Sequence, residues 1–421
     1  MDDRKASEQP AEKDGRKQES QDKTKGSAFP SFGKHSGGRW WNIGHFKSEQ
    51  PCYRLSTVRI LCISSFFREE GGGVAHMAHL LARELSRMPG NEVTLAAHVG
   101  QAAPADSSED GYARMPIRAT NWFESRLGVP LLLPHPLDIR KLNAAARAAD
   151  VVMVHDTVYL SNLVAIVSAH GHTPSIVVKH TGEVRFSSRF GQLVFSIFNG
   201  GLVPSFLERT DALAFVTRAK LDNSAPIKGP LTTVISNGID TDIFAPSGVG
   251  RDGSLLFVSR FVEKKGVEVV REMARLMPDR QFVLAGYGTI DPRGWSERNI
   301  ACHWRPRPED LAALYSTCGA FILPGETEGT PLVALEALAC EAPTIIGEKG
   351  VAPDPNLGRQ MAHLPVDISN PRATARNWCS NLDLAIARSK PDRSVIIRDY
   401  SAQRMAREYA TLIDKITTSA I

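Results

Sequence analysis

Residues 321–343, FILPGETEGTPLVALEALACEAP, constrain the fold of this chain more than any other stretch. The first residues are apolar and end at Pro324-Gly325, which predicts a buried strand that closes in a turn. Thr330-Pro331 is typical of a helix start, with threonine as the N-cap and proline at the first helical position. Leucine and alanine then recur at helical spacing as far as Ala339. We therefore expect a strand, a loop and a helix.

Two carboxylates bracket the predicted helix start. Glu328 lies in the loop, followed by Gly329 and Thr330, and Glu336 lies in the second helical turn. Backbone N–H groups near Leu332 and Val333 would form an anion site, because the first N–H groups of a helix have no partner within it. A phosphate site with a carboxylate on either side predicts a sugar nucleotide as the ligand. The alternative is an ordinary strand–helix unit with two solvated glutamates.

Basic residues and glycines follow two earlier strands of the same half. Arg260 ends the predicted strand 254–259, and Lys265-Gly266 comes just before a predicted helix. Arginine and lysine in these positions predict a clamp for a diphosphate. Surface salt bridging is the alternative, and Lys264 is a second candidate for the contact. Gly286 and Gly288 directly follow the predicted strand 281–285.

The first half of the chain opens with a strand, a glycine-rich loop, a helix and a second strand, at residues 57–98. This order is of the Rossmann type. Gly72 and Gly73 would let the backbone approach a ligand, since neither has a Cβ atom, and a tight turn without a ligand is the alternative. The GxGxxG fingerprint of dinucleotide-binding folds is absent, which argues against a nicotinamide-dependent oxidoreductase.

Histidine and aspartate follow two further strands. His180 comes directly after the predicted strand 175–179, at the end where parallel sheets bind ligands. His155-Asp156 is a second candidate of the same kind, and a purely structural histidine is the alternative. Asp240-Thr241-Asp242 spells the DxD motif of metal sites. It lies in a predicted turn between the two halves, so we expect no metal there.

Net charge and the distribution of apolar residues indicate which kinds of partner and which location to expect. The net charge of +4 on 421 residues gives no indication of nucleic-acid binding but permits weak attraction to an anionic membrane. No apolar run reaches the roughly 18 residues that span a bilayer, and the N-terminus lacks the apolar region of a signal peptide. A cytoplasmic location is therefore expected. Residues 185–208 mix apolar and basic side chains, which leaves peripheral contact with the inner membrane face or a core helix open.

The Glu-x7-Glu pattern of Glu328 and Glu336, in the setting EGTPLVALEALA, resembles the donor-binding signature of the retaining glycosyltransferases of family 4. The spacing from Arg260 to Lys265-Gly266 is similar to the R-x4-K-G of that family, and Gly286-Tyr287-Gly288 resembles its G-x-G loop, which implies a loop beside the nucleotide. This resemblance implies an α/β chain of GT-B architecture, with two Rossmann-like domains facing across a cleft. The expected parts are a disordered tail at 1–50, an acceptor domain at 51–240, a donor domain at 241–395 and a helix at 396–421 that returns to the first domain.

The resemblance also implies a hexosyltransferase that moves a sugar from a UDP- or GDP-sugar to a glycan or lipid-linked acceptor, with retention, in polysaccharide or glycolipid biosynthesis. By matching position, Glu328 would contact sugar hydroxyls, Glu336 the ribose and His180 the donor sugar. Arg260 and Lys265 would stabilise the departing diphosphate, so no metal or other cofactor is expected. Another GT-B enzyme, such as an epimerase or a sucrose-type synthase, and a non-catalytic scaffold are the alternatives.

One position departs from the family pattern. The helix that carries Glu336 ends at Glu341-Ala342, where the family usually has a glycine. Glycine favours a left-handed residue at a helix C-terminus. We therefore expect a different kind of cap here.

Overall fold

The computed structural model describes residues 57–70, 72–99, 110–120, 132–180, 201–326, 331–348 and 357–418. The predicted tail at 1–50 and most of the segment 185–208 lie outside these residues. The strands are β1 (Val58–Phe66), β2 (Asn91–His98), β3 (Ala113–Ile117), β4 (Ala119–Thr120), β5 (Leu133–Pro134), β6 (Val151–His155), β7 (Ser175–Lys179), β8 (Ala212–Phe215), β9 (Leu231–Val234), β10 (Leu255–Phe261), β11 (Phe282–Gly288), β12 (Ile300–Trp304), β13 (Ala320–Leu323), β14 (Thr344–Gly347) and β15 (Met361–Leu364).

Helices separate most of these strands, as parallel pairing requires. They are α1 (Gly73–Ser86), α2 (Pro136–Ala148), α3 (Leu160–Ala169), α4 (Val203–Leu207), α5 (Arg218–Asp222), α6 (Val267–Leu276), α7 (Pro308–Thr317), α8 (Leu332–Ala339), α9 (Pro371–Arg388), α10 (Arg393–Tyr400) and α11 (Ala402–Thr418).

Two parallel sheets organise the chain. In the part that the structure describes, the first sheet has the strand order β3-β2-β1-β6-β7-β8-β9 and the second β12-β11-β10-β13-β14-β15. In each sheet the first three strands in sequence lie on one side, starting from the middle, and the later strands lie on the other side. The switch points lie between β1 and β6 and between β10 and β13, where α/β folds bind their ligands. The predicted α/β class with two Rossmann-like sheets is confirmed.

The last helix packs on the first sheet. Met405, Tyr409 and Leu412 of α11 are buried in the same apolar cluster as Ile60 of β1 and Leu81 of α1. A separate cluster surrounds the second sheet and takes in residues of α6, α8 and α9. The expected return of the C-terminal helix to the first half is therefore confirmed, while the exact domain boundaries stay predictions.

Two segments that connect the halves lie side by side. The Ile239 N–H donates to the Tyr400 carbonyl at 2.8 Å, and the Ala402 N–H donates to the Ile239 carbonyl at 2.8 Å. Gly238 lies so near this crossing that a Cβ atom on it would be 2.7 Å from the Ala402 Cα. The chain thus needs glycine here to let its two connections touch.

Several local expectations need correction. The helix that carries Glu336 begins at Leu332 with Pro331 as its N-cap, one residue later than expected, because the proline ψ of 131° is extended. Gly286 and Gly288 belong to strand β11 and do not form a loop. A short helix, α5, follows β8, and the Thr217 hydroxyl caps it by accepting from the Lys220 N–H.

The expectation of a different cap at Glu341 is wrong. Glu341 has a φ of 57° and occupies the left-handed conformation that glycine would otherwise supply. Its N–H donates to the Leu338 carbonyl and the Ala342 N–H donates to the Ala337 carbonyl, both at 2.9 Å. These two bonds form a Schellman-type ending.

Candidate active site

The predicted residues of the second half gather around one switch point. Arg260 lies at the carboxyl end of β10, and the segment that leads into α8 starts at the carboxyl end of the neighbouring strand β13. Glu328, Gly329 and Thr330 fall in that segment but outside the described residues. The sheet topology thus brings the arginine and the helix start to the same edge, although they are more than seventy residues apart in sequence.

Glycines allow the loops at this edge to touch. Gly266 has a φ of 78°, and a Cβ atom on it would lie 2.0 Å from the Pro324 carbonyl oxygen. A Cβ on Gly325 would lie 2.4 Å from the Lys265 carbonyl, and one on Gly347 would lie 2.6 Å from the Gly325 carbonyl oxygen. The ends of β10, β13 and β14 are therefore in direct backbone contact, which fixes Lys265 beside the segment that follows β13.

Positive charge is concentrated on this edge. The side chains of Arg260 and Lys264 are exposed, and Lys265 is half-buried. The Glu326 N–H donates to the Lys264 carbonyl at 2.9 Å, which ties the basic turn to the start of the glutamate-bearing loop. Three cations on one short segment supply the charge that a diphosphate needs.

Helix α8 begins close to both halves. The Ala334 N–H donates to the Pro331 carbonyl at 3.0 Å, so Leu332 and Val333 are the residues of the first turn that precede the helical bonding. Leu332 packs against the apolar clusters of both sheets. The positive end of the helix dipole therefore lies where the two halves meet.

Glu336 occupies an unexpected environment. Its side chain points into the protein, where the residue is 7% exposed. The Tyr315 hydroxyl donates to its Oε2 at 3.1 Å. Burial raises the pKa of Glu336 to about 7, and the hydrogen bond from Tyr315 opposes that rise. A carboxyl group with this pKa accepts hydrogen bonds best above pH 7.

The glycines of β11 have a structural explanation. A Cβ atom on Gly286 would lie 1.9 Å from the Ser259 carbonyl oxygen, and one on Gly288 would lie 2.2 Å from the Phe261 carbonyl oxygen. Close pairing with β10 therefore requires both glycines whether or not a nucleotide binds nearby. Between them lies Tyr287. The guanidinium of the exposed Arg305 lies over the Tyr287 ring, 4.4 Å from the ring centroid.

The first sheet contributes a second group at its own switch point. Gly72 and Gly73 are exposed after β1, and a Cβ atom on either would meet nothing within 4 Å. Gly72 has a φ of 100°, which accounts for a glycine there on conformational grounds. Gly73 has an ordinary backbone and open space beside it, as the predicted approach of a ligand would require.

His180 and His155 form a pair at the ends of β6 and β7. The Nδ1 atom of His155 lies 2.9 Å from the Nε2 atom of His180. Burial lowers the pKa of both histidines, to about 3 for His180, where the ammonium groups of Lys220 and Lys179 lower it further. Both rings are therefore neutral at physiological pH. The sequence indicated each histidine, but as alternatives for one ligand-binding position and not as a pair.

The Asp240-Thr241-Asp242 motif serves the connection between the halves. The Arg83 guanidinium donates to the Asp240 carboxylate at 2.5 Å, and the Asp242 N–H donates to the same carboxylate at 3.1 Å. This pairing explains the motif as a turn that holds α1. No group of three or more potential ligands for a metal ion occurs within the described residues.

A pocket lies at the opposite edge of the second sheet, away from Arg260 and Lys265. It has a volume of about 500 Å³ and is lined by residues 252–254 and 276–281. It contains none of the predicted site residues.

Among the described residues, no helix has both the length and the apolar character needed to span a bilayer.

Comparison with known proteins identifies the family. The profile of the family described as Glycosyltransferase Family 4 matches residues 71–243, and that of Glycosyl transferases group 1 matches residues 240–356. Together the two matches span residues 71–356, which include the switch point of the second sheet. The chain belongs to glycosyltransferase family 4.

Relatives of this family 4 chain are distant. A GDP-mannose-dependent alpha-(1-6)-phosphatidylinositol monomannoside mannosyltransferase from Mycolicibacterium smegmatis is 30% identical over 34% of this chain and 46% of its own length. A GDP-mannose-dependent alpha-mannosyltransferase from the same organism is 26% identical over 70% of this chain and 80% of its own. The chain thus matches less than half of the length of the first of them.

Solved structures share the GT-B fold with this family 4 chain. A sucrose-phosphate synthase from Thermosynechococcus elongatus superposes with a TM-score of 0.63 at 17% identity, over 86% of this chain and 100% of the other. The Anabaena protein HepE, in complex with UDP and glucose, superposes with a TM-score of 0.61 at 14% identity, over 85% and 99%. At these identities the likeness extends to the fold alone.

Proposed function

We propose that this chain is a retaining glycosyltransferase that moves a hexosyl group from a UDP- or GDP-sugar to a glycan or lipid-linked acceptor in polysaccharide or glycolipid biosynthesis. The observation that carries the proposal is the assembly of Arg260, the basic turn 263–265 and the start of α8 around the switch point of the second sheet. Family membership supports a transferase, and the names of the two mannosyltransferase relatives favour a GDP-sugar among the donors.

In the proposed reaction an acceptor hydroxyl attacks the anomeric carbon from the face that the diphosphate leaves. The new carbon–oxygen bond forms as the bond to the diphosphate breaks, and the hydroxyl proton passes to the departing phosphate oxygen. Arg260, Lys265 and the N-terminus of α8 would stabilise the charge on the diphosphate, so a metal ion is not needed. Glu328 would hold the sugar hydroxyls, Glu336 the ribose and His180 the sugar from the other half.

The experiment that tests the donor site is a thermal-shift titration with UDP, GDP, ADP and their common sugars, in the presence of EDTA. A nucleotide at a hundred times its Kd should stabilise the protein by about 2.7 kcal/mol. Arg260→Ala should weaken binding of that nucleotide at least about ten-fold, because a charge-assisted contact to phosphate is lost. Arg298→Ala is the matched control, since Arg298 is also exposed but lies at the amino end of β12.

Each outcome decides part of the proposal. Binding of one nucleotide in EDTA, weakened by Arg260→Ala and unaffected by Arg298→Ala, supports the donor site and metal-free binding. Equal losses in both variants would reduce Arg260 to a general electrostatic role. No stabilisation by any nucleotide would favour a scaffold function. NMR of the transferred sugar then tests whether its anomeric configuration is retained.

A further inference from the structure

The histidine pair at the ends of β6 and β7 has a defined pattern of hydrogens. A neutral imidazole carries one N–H donor and one bare acceptor nitrogen. The contact of 2.9 Å between His155 Nδ1 and His180 Nε2 therefore needs a hydrogen on one of these two atoms and a lone pair on the other. The ring planes are inclined by 18° and the ring centroids lie 5.2 Å apart, which is compatible with a hydrogen bond between the two imidazoles. Two arrangements satisfy this contact.

The surroundings of His155 separate the two arrangements. His155 is 1% exposed, and its Nε2 atom has no hydrogen-bond partner among the described residues. If His180 were the donor, His155 would carry its own hydrogen on Nε2 and bury an unpaired N–H group. Orphaned N–H donors are rarer in protein interiors than unpaired acceptors. The favoured arrangement therefore has the hydrogen on His155 Nδ1, which donates to His180.

Neighbouring groups hold the backbone of both histidines in place. Asn162 donates its amide hydrogens to the His155 carbonyl at 2.8 Å and to the Asp156 carbonyl at 3.0 Å. The backbone N–H of His180 donates to the Asp156 carboxylate at 2.9 Å, and the Lys220 ammonium donates to the backbone carbonyl of His180. Asp156 itself has a φ of 64° and is buried, so this turn is tightly determined.

We propose that His155 is a positioning residue, which donates its Nδ1 hydrogen to His180 and thereby fixes His180 with its own hydrogen on Nδ1. His180 is half-buried, and in this tautomer it offers a ligand an N–H donor, not a bare nitrogen. An N–H donor suits a hydroxyl or phosphate oxygen of a sugar nucleotide. The identity of the ligand rests on the proposed function, whereas the tautomer does not.

The test reads the tautomer directly. We would label the full chain with 15N-histidine and record long-range proton–nitrogen spectra without substrate, assigning His180 from the signals that His180→Asn removes. The wild-type protein should show His180 protonated at Nδ1. His155→Leu removes the donor, so His180 should move toward the Nε2-protonated form. His155→Asn is the matched variant, because its amide nitrogen takes roughly the place of Nδ1, and it should preserve the Nδ1 form.

Kinetics supply the second measurement. His155→Leu should lower kcat by up to roughly 100- to 1,000-fold, the loss that follows removal of one well-directed donor. His155→Asn should restore most of that loss. Affinity for the nucleotide should be unchanged in both variants, which also shows that they fold. A merely structural role of His155 would instead lower thermal stability in both variants without a change of tautomer.

The outcomes separate this inference from the proposed function. A wild-type His180 protonated at Nε2, or a tautomer that His155→Leu leaves unchanged, would overturn the inference even if the chain transfers sugars. Conversely, the expected tautomers in a chain that binds no sugar nucleotide would uphold the positioning by His155 and reject the proposed function.

Discussion

Glu341 shows how single residues of this chain tolerate an unfavourable conformation. A left-handed backbone costs a residue with a Cβ atom roughly 1–2 kcal/mol relative to the right-handed one. The Arg251 guanidinium offsets part of this cost, because it donates to the Glu341 carbonyl at 2.6 Å and to the Cys318 carbonyl at 2.9 Å. It thereby joins the C-terminal ends of α7 and α8.

Replacement of Glu341 by glycine should stabilise the protein. Glu341→Gly relieves the left-handed strain at a φ of 57° and keeps the backbone bonds, so we expect a gain of about 1 kcal/mol, seen as a higher Tm. Glu341→Ala is the control, since it removes the same exposed carboxylate but keeps a Cβ atom. An equal gain in both variants would assign the effect to charge and not to the backbone.

Glu336 links stability to pH. Below about pH 4.5 the carboxyl group is protonated in both the folded and the unfolded chain. As the pH rises from the ordinary value of 4.5 to about 7, the unfolded chain loses this proton while the folded protein keeps it. The free energy of unfolding therefore falls as the pH rises through this window and stays level above it, because ionisation of the buried carboxyl group is unfavourable.

Glu336→Gln should remove that loss. The amide stays neutral, so the variant should match the wild type near pH 5 and be more stable at pH 8, by up to about 3 kcal/mol. Chemical denaturation at both pH values measures the difference. Glu348→Gln, just after β14, is the control for the loss of one exposed carboxylate. A variant that is less stable at pH 8 would contradict the raised pKa.

At the scale of elements, the candidate site depends on how loop ends touch. The turn 263–265 reaches the segment after β13 only because Gly266 and Gly325 have no side chains. Gly266→Ala combines a left-handed φ of 78° with a clash against the Pro324 carbonyl, so we expect a loss of at least about 2 kcal/mol and weaker nucleotide binding.

Thermal unfolding and nucleotide titration measure both effects of Gly266→Ala. Gly294→Ala is the matched control, because a Cβ atom on Gly294 meets nothing within 4 Å. It should stay within about 0.5 kcal/mol of the wild type and bind nucleotide normally. Normal binding by Gly266→Ala would show that the contact between the two loops is not needed by the ligand.

Elements with a clear pattern were predictable from the sequence, while contacts between them were not. The apolar run that ends before His180 placed β7 to the residue. Strand β3 and helix α3 were missed, because β3 mixes exposed and buried positions without alternation and α3 is buried at most of its positions, so neither shows a clear period. The bond from Tyr315 to Glu336 and the contact of His155 with His180 join distant segments, so no local signal announces either.

At the scale of the whole molecule, two crossings of the chain connect the two halves. It leaves the first half through the turn at Asp240 and returns through α10 and α11. The Arg393 guanidinium donates to the Phe244 carbonyl at 2.6 Å and the Ala339 carbonyl at 2.5 Å, which connects the first crossing to the end of α8. The first half therefore completes its core only with the last residues of the chain.

A cavity in the last helix should consequently weaken the first half and not the second. Leu412 is 0% exposed in the cluster of the first sheet, so Leu412→Ala should cost about 3 kcal/mol. Thr411→Ala, on the exposed face of the same helix, should cost less than about 0.5 kcal/mol. Hydrogen exchange should then show faster opening of β1 and β2 in Leu412→Ala, with β10 and β11 protected as in the wild type. Equal loss of protection in both sheets would mean that the halves unfold as one unit, because the paired crossings would then transmit the defect.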